Sequence, residues 1–212
     1  MTGEANVAKP SAQGKSGSKT KSALHKASAV IGLDLPPASL DADMQAYFDK
    51  CMEKLGFVPN VLAAYSFDLA KLKGFVAMAD ELMLAPSGLS KLEREMIAVT
   101  VSCANFCHYC IVAHSAVVRK FSGDAKLGDT IAANYRAADL DARTRAMLDF
   151  AWKLTVEPWS IEEKDRAALR KAGFKDRDIW DIAAVAGFFA MSNRIASATE
   201  MRPNDEYYDM GR

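Results

Sequence analysis

The segment from Glu95 to His114 limits the folds open to this chain more than any other. Its twenty residues hold three of the four cysteines (Cys103, Cys107 and Cys110), two of the three histidines (His108 and His114) and a carboxylate. Cys107 and Cys110 form a C-x-x-C with His114 four residues further on, so a helix puts all three on one narrow stripe. Glu95 lies twelve residues before Cys107, and one unbroken helix would part them by about 18 Å. No proton could be handed across that gap. Asn105 supplies a turn, because Asn tolerates the left-handed conformation that ends helices. With the turn there, Ser90–Ala104 and Cys107–Phe121 form an antiparallel hairpin. Glu95 then falls level with His114, and Cys110 sits closer to the turn.

Carboxylate, imidazole and thiol in file are what a proton relay to a nucleophile needs. The same turn places Cys107 at a helix N-terminus, where the macrodipole favours thiolate, and leaves His114 to generate the thiolate of Cys110. Such a pair can attack a peroxide oxygen and close to a disulfide. A metal is the competing use, since Cys107, Cys110 and His114 with Cys103 or Glu95 make an adequate zinc set. A c-type haem site is excluded by Ile111, which stands where the histidine belongs. A thioredoxin-type site needs a strand before the C-x-x-C, and none is predicted. Cys103 and Cys51 read as packed core thiols. Glu95 has the bland alternative of a solvated surface acid, and His108 that of a bystander. Tyr109 reads as a packed ring with a satisfied hydroxyl.

Apolar residues elsewhere recur at helical spacing, and no window alternates over six residues, so the fold class is all-α. Helices are predicted over Leu40–Leu55, Val61–Leu72 and Phe75–Leu84, with Gly74 between the last two. Ser90 and Glu93 form a capping box, and Ser160 and Glu163 read as a second. Asp124 and Asp141 open further helices, and Asp176 caps a long one, Arg177–Thr199, apolar on nearly all sides and suited to a core or subunit interface. Asn193 and Arg194 interrupt it, the arginine requiring a partner if buried. Leu140–Leu154 and the two helices after it hint at an internal duplication without the cysteines.

Residues 1–36 are rich in Ser, Ala, Gly and Lys and read as a disordered basic tail containing His25. Residues 37–200 form one helical domain, and residues 201–212 a polar extension reaching over a neighbouring subunit. Formal net charge is zero, which speaks against a nucleic-acid partner, and no apolar run is long enough for a membrane span. Four cysteines fit a reducing cytoplasm.

The run Ser90–Ala98, the E-x11-C-x-x-C-x3-H spacing and the later Asn193-Arg194 resemble the alkylhydroperoxidase AhpD-like superfamily, within the wider carboxymuconolactone decarboxylase family. The likeness spans about Pro37 to Glu200. It implies a helical bundle with the C-x-x-C at a helix start after a hairpin turn, and a homo-oligomeric peroxidase without cofactor or metal. It also implies a hydroperoxide substrate and a lipoyl-bearing or thioredoxin-like dithiol reductant. By position Cys110 becomes the peroxidatic thiol, Cys107 the resolving one, and Glu95 and His114 the relay. Tyr109 departs from the histidine of the best-studied members. A redox sensor, a zinc-holding protein and a lactone decarboxylase are the alternatives.

Overall fold

The structure, a computed structural model, describes residues 30–212; the expected disorder of residues 1–29, His25 included, lies outside the described residues. No strand occurs among them, and the fold is an all-helical bundle. In chain order the helices are α1 (Ala42–Leu55), α2 (Asn60–Tyr65), α3 (Leu69–Met83), α4 (Lys91–Ala104), α5 (His108–Ser122), α6 (Ala125–Asn134), α7 (Ala142–Val156), α8 (Glu163–Lys171), α9 (Asp176–Ala198) and α10 (Glu206–Asp209).

Helix α4 is the axis of the bundle and packs against α5, α7 and α9. Its unbroken buried run from Met96 to Ser102 explains why: no face of it is left for water. Ile97, Ala98, Val99 and Val101 are wholly buried in a core shared with Met147 and Leu148 of α7 and Ile182 and Val185 of α9. The capping box is present, with the Ser90 amide donating to Glu93 Oε2 at 2.7 Å and the Glu93 amide to Ser90 Oγ at 3.1 Å.

The hairpin turn differs in register from the expectation. Asn105 has φ −95°, and the left-handed residue is Phe106, φ 53°. The Phe106 amide donates to the Cys103 carbonyl (3.1 Å) and the Cys107 amide to that of Ser102 (3.0 Å). This pair of bonds is a Schellman motif with phenylalanine where glycine normally stands. The turn therefore closes one residue later, and α5 starts at His108 with Cys107 as its N-cap.

Other boundaries also move. The break expected at Gly74 falls at Phe67, because the Asp68 carboxylate accepts from the Lys71 amide and opens α3, which runs through Gly74. The second capping device pairs Glu162 with Asp165 rather than Ser160 with Glu163. Lys175, not Asp176, is the N-cap of α9, its amide donating to Asp178. Arg194 is exposed, while Asn193 is buried.

Both ends of the described segment pack on the bundle. Val30 and Ile31 are buried, and the Gly32 amide donates to the Thr199 carbonyl at 2.7 Å, so residues ahead of the paired prolines are packed on the bundle. The C-terminal stretch folds back on its own chain rather than reaching away from it. Arg119, 3% exposed, donates to the carbonyls of Tyr207 (2.7 Å) and Met210 (3.0 Å), and Asn204 ties to Val58 and Asn60.

The duplication hint gains substance in α4 and α7. Each has a capping residue (Ser90, Asp141), then an arginine four residues on that satisfies carbonyls of the preceding turn, then a buried methionine (Met96, Met147). Arg94 donates to Leu89 and Ala85, and Arg145 to Tyr135 and Ala138. Ala146 stands in the register of Glu95.

A left-handed conformation costs a non-glycine residue about 1–2 kcal/mol, and Phe106, 89% exposed, recovers almost none of it by burial. Phe106→Gly is expected to stabilise the fold by about 0.5–1 kcal/mol after glycine's larger unfolded-state entropy is counted. Urea unfolding measures this; a loss of stability would show that the ring makes a contact that offsets its strain.

Candidate active site

The hairpin brings Glu95 and His114 together. His114 Nδ1 and Glu95 Oε2 are 2.6 Å apart, and both side chains are mostly shielded, at 21% and 12% exposed. An ionised carboxylate only accepts, so Nδ1 carries the hydrogen and Nε2 is left as the basic nitrogen. The imidazole also meets the edge of Phe189 from α9, ring centroids 4.5 Å apart at 79°. Carboxylate and aromatic wall together fix its orientation. Glu95 is therefore not a surface acid.

Cys107 and Cys110, 1% and 3% exposed, lie in a second apolar cluster with Val30, Ile31, Phe57, Ala196, Met201 and Tyr207. The cover comes from residues 30–31 and the C-terminal stretch as well as α2 and α9. The two thiols are in hydrogen-bond contact with each other, and neither is in a disulfide.

Their protons are unequally held. The Cys110 thiol donates to Cys107; that bond, the Cys110 backbone N–H, the Ser197 hydroxyl and the Asn193 amide together outweigh burial and pull Cys107 down to about 6. Cys110 is pushed up, first by donating to Cys107, then by burial and by the Cys107 charge. Cys107 is thus the readier of the two to lose its proton, in line with its expected place at a helix N-terminus, while Cys110 holds its own. The leading cause is the hydrogen bond from the Cys110 thiol, to which the Cys110 amide in the first turn of α5 adds.

Partners from α9 largely escape a reading of the sequence. Phe189, Asn193 and Ser197 stand at i, i+4 and i+8 and line the site as one stripe. That spacing is visible, but the polarity of two of its three members in an apolar helix is the only sign that they face chemistry. Ser102 of α4 is hidden in the same way.

The remaining residues fall where packing puts them. The Tyr109 hydroxyl accepts from the Val61 amide at 3.0 Å, and burial pushes it up. His108 is exposed and touches the Tyr208 hydroxyl at 3.2 Å. Cys103 contacts the Ala132 carbonyl at 3.1 Å, and burial pushes its thiol to about 11. Cys51 is half-buried beside Asp80. No group of three or more His, Cys, Asp or Glu side chains converges as a metal site among the described residues. A groove of about 1070 Å³ lies apart from the cysteines, between α3 and α9, lined by Met78, Trp180, Phe188 and Met191. No helix among the described residues is long and apolar enough to cross a membrane.

Fold and site together define an all-helical protein carrying a dithiol pair beside a carboxylate-held imidazole. The model of the carboxymuconolactone decarboxylase family matches residues 72–157. The chain is 59% identical to a peroxidase-related protein from Silicibacter sp. TM1040, described as uncharacterised (TM-score 0.84; 86% of this chain and 96% of that one covered). It is 44% identical to a second such protein, described as an alkylhydroperoxidase AhpD core, from Ralstonia eutropha JMP134 (TM-score 0.83; 86% and 97%). The debrominase Bmp8 shares the fold alone, at 18% identity and TM-score 0.68 over 86% of this chain and 96% of that one. No functionally curated protein matches. The chain belongs to the AhpD-like superfamily.

Alkylation of the reduced protein by iodoacetamide across pH 4–9 tests the proton placement. Cys107 is expected to react with a midpoint near 6, its thiolate being lost as pH falls through that value, while Cys110 stays protected. A midpoint near the ordinary thiol value of 9.0 would refute it.

Proposed function

We propose that this chain is a thiol-dependent hydroperoxide reductase that cycles Cys107 and Cys110 between dithiol and disulfide. The observation that carries the reading is the 2.6 Å Glu95–His114 pair one helical turn beyond Cys110, which itself hydrogen-bonds a thiolate. The apolar cover of the sulfurs suits an organic hydroperoxide.

In the first step Cys110 sulfur attacks the terminal peroxide oxygen and the O–O bond breaks. His114 Nε2 takes the thiol proton and delivers it to the departing alkoxide, giving a sulfenic acid and an alcohol. Glu95 stabilises the transient imidazolium. In the second step the Cys107 thiolate attacks Cys110 sulfur, an S–S bond forms, and hydroxide leaves as water with a proton from solvent. An external protein dithiol, lipoyl-bearing or thioredoxin-like, then exchanges with the disulfide and restores both thiols. A reducing cytoplasm is the setting such a cycle needs. The exposed Met78, Trp180 and Met191 along the α3–α9 groove support the homo-oligomer that the family resemblance implies.

Sulfenate trapping with an organic hydroperoxide tests the roles. Cys107→Ser is expected to accumulate sulfenate on Cys110, and Cys110→Ser to lose peroxide consumption. Glu95→Gln is expected to slow it by about a hundredfold or more, the range of a lost acid–base relay. Sulfenate on Cys107 in the Cys110→Ser protein would reverse the two sulfurs' roles. Reversible disulfide formation without turnover would favour a redox sensor, stoichiometric zinc a metal-holding protein, and lactone turnover by a cysteine-free variant the decarboxylase reading.

A further inference from the structure

The sulfurs are shut in. Cys107 and Cys110 are 1% and 3% exposed, whereas the His114 side chain keeps 21%. A dithiol carried by another protein has to bring a thiolate in line with one sulfur of the disulfide. Sulfurs this buried offer it no approach, so part of their cover has to move.

One part of the cover is built unlike the rest. Residues 201–205 belong to no helix, and α10 after them is a single turn. The stretch leaves the left-handed Glu200 and sets Met201, Tyr207 and Met210 on the cysteine cluster, with the Tyr207 ring edge-on to Phe57 at 5.0 Å. One backbone bond ties it to the bundle, from the Arg202 amide to the Val30 carbonyl at 2.9 Å. Side chains do the rest. Asn204 Oδ1 accepts from the Asn60 amide at 2.7 Å, and Asn204 Nδ2 donates to the Val58 carbonyl at 3.0 Å.

Arg119 is the fastener. Its buried guanidinium donates to the Tyr207 and Met210 carbonyls on one side, and to Asp129 Oδ1 (3.3 Å) and Ser115 Oγ (3.5 Å) on the other. The seat is close-fitting: a Cβ on Gly211 would lie 2.7 Å from the Lys120 amide nitrogen, and one on Gly128 2.5 Å from Arg119 Cγ. Asp129 is shared, because Arg212 pairs with both its oxygens at 3.0 Å in a contact about half exposed on each side. If the stretch lifts, Arg212 leaves, Asp129 is free for Arg119 alone, and water replaces the two carbonyls. The guanidinium therefore has partners in either arrangement, and opening strands no buried charge.

We propose that residues 201–212 are a lid over the cysteine pair, hinged after Glu200 and latched by Arg119 and the Arg212–Asp129 pair, which lifts to admit the protein dithiol that reduces the disulfide. The inference rests on the dithiol reading and adds the step that sets access. With the lid open, a donor thiolate attacks one sulfur of the disulfide and a mixed disulfide forms. The donor's second sulfur then displaces that sulfur, so the donor leaves as a disulfide and two electrons and two protons have passed to the pair.

Two rates read the lid: alkylation of Cys107 by iodoacetamide in the reduced protein at one fixed pH, and reduction of the diamide-oxidised protein by a thioredoxin. Both scale with the open fraction. Arg212→Ala, which removes the exposed latch, is expected to raise each about two- to fivefold, the worth of a surface ion pair. Arg119→Ala removes the buried latch and is expected to raise each about tenfold or more, the worth of hydrogen bonds from a charged donor. Hydrogen exchange separates a lid from a general loss of stability. The amides of Asn60 and Arg202, which bond across the lid's edge, are expected to exchange faster in both variants while those of Val99 and Val101 in α4 keep their protection. Rates unchanged in both variants, or rising only along with exchange in α4, overturn the proposal. If Arg119→Ala does not fold, Arg212→Ala decides, and an unchanged rate there overturns it. None of these readouts needs peroxide turnover. A protein that consumes no peroxide yet opens in this way loses the reductase reading and keeps the lid, whereas intact turnover with unmoved rates keeps that reading and loses the lid.

Discussion

The Schellman turn between α4 and α5 is the constraint on which the site depends. Its two bonds, Phe106 amide to Cys103 carbonyl and Cys107 amide to Ser102 carbonyl, fix the register of α5. A slip of one residue would rotate α5 by about 100° and carry Cys110 and His114 off the stripe that faces Glu95 and α9. The chain accepts a left-handed phenylalanine to hold that register. The same motif ends α9, where Glu200 is left-handed at φ 53° and the Met201 amide returns to the Ala196 carbonyl. In both places the strained residue immediately precedes a buried member of the cysteine cluster, Cys107 in one and Met201 in the other. Non-glycine strain of this kind persists only where the surroundings over-determine it. Here the surroundings are residues 30–32 bonded to Thr199 and Arg202, and the α4–α9 contact.

How legible this is in the sequence depends on whether the signal is local. The Ser90–Glu93 capping box, the helix stop at Gly56 and the E-x11-C-x-x-C-x3-H spacing rest on neighbours within a turn or two, and each emerges in the structure. Gly74 misleads because glycine weakens a helix without ending it, while the Asp68 cap that does set the break is a short-range hydrogen bond of modest worth. Asn105 misleads for a related reason. Its tolerance of positive φ suggests the turn, but the amide group is used instead, as a donor to Asn193 across a separation of 88 residues. Asn193, Ser102 and Ser197 cannot be read as a set, since what joins them is the packing of α9 on α4 rather than any spacing.

The two helical layers show what was added to a structural frame to make a site. Arg94 and Arg145 close the turns before α4 and α7 in the same way, donating to carbonyls that would otherwise be buried without partners. Stability therefore treats the two helices alike. Only α4 then carries a carboxylate in the next position, where α7 has Ala146, and only α4 leads into a helix that begins with two cysteines. Arg119 extends the same device to the C-terminal stretch, whose Tyr207 closes one side of the sulfur cluster.

In the proposed cycle, placing the charge on Cys107 and the relay beside Cys110 resolves what looks like a conflict. A single sulfur asked to be both a stable thiolate and the attacking nucleophile would lose reactivity as its affinity for protons fell. Dividing the work avoids this. Cys107 lies at the N-cap of α5, where amides, the Ser197 hydroxyl and the Asn193 N–H hold a thiolate that needs no base when its turn comes to close the disulfide. In that cycle Cys110 keeps its proton until the imidazole one turn away takes it in the attack itself, and the thiolate then released, of high proton affinity, is the stronger nucleophile. The net charge of the buried pair then stays at one thiolate throughout the attack, which matters where two adjacent negative charges would each lose most of their solvation.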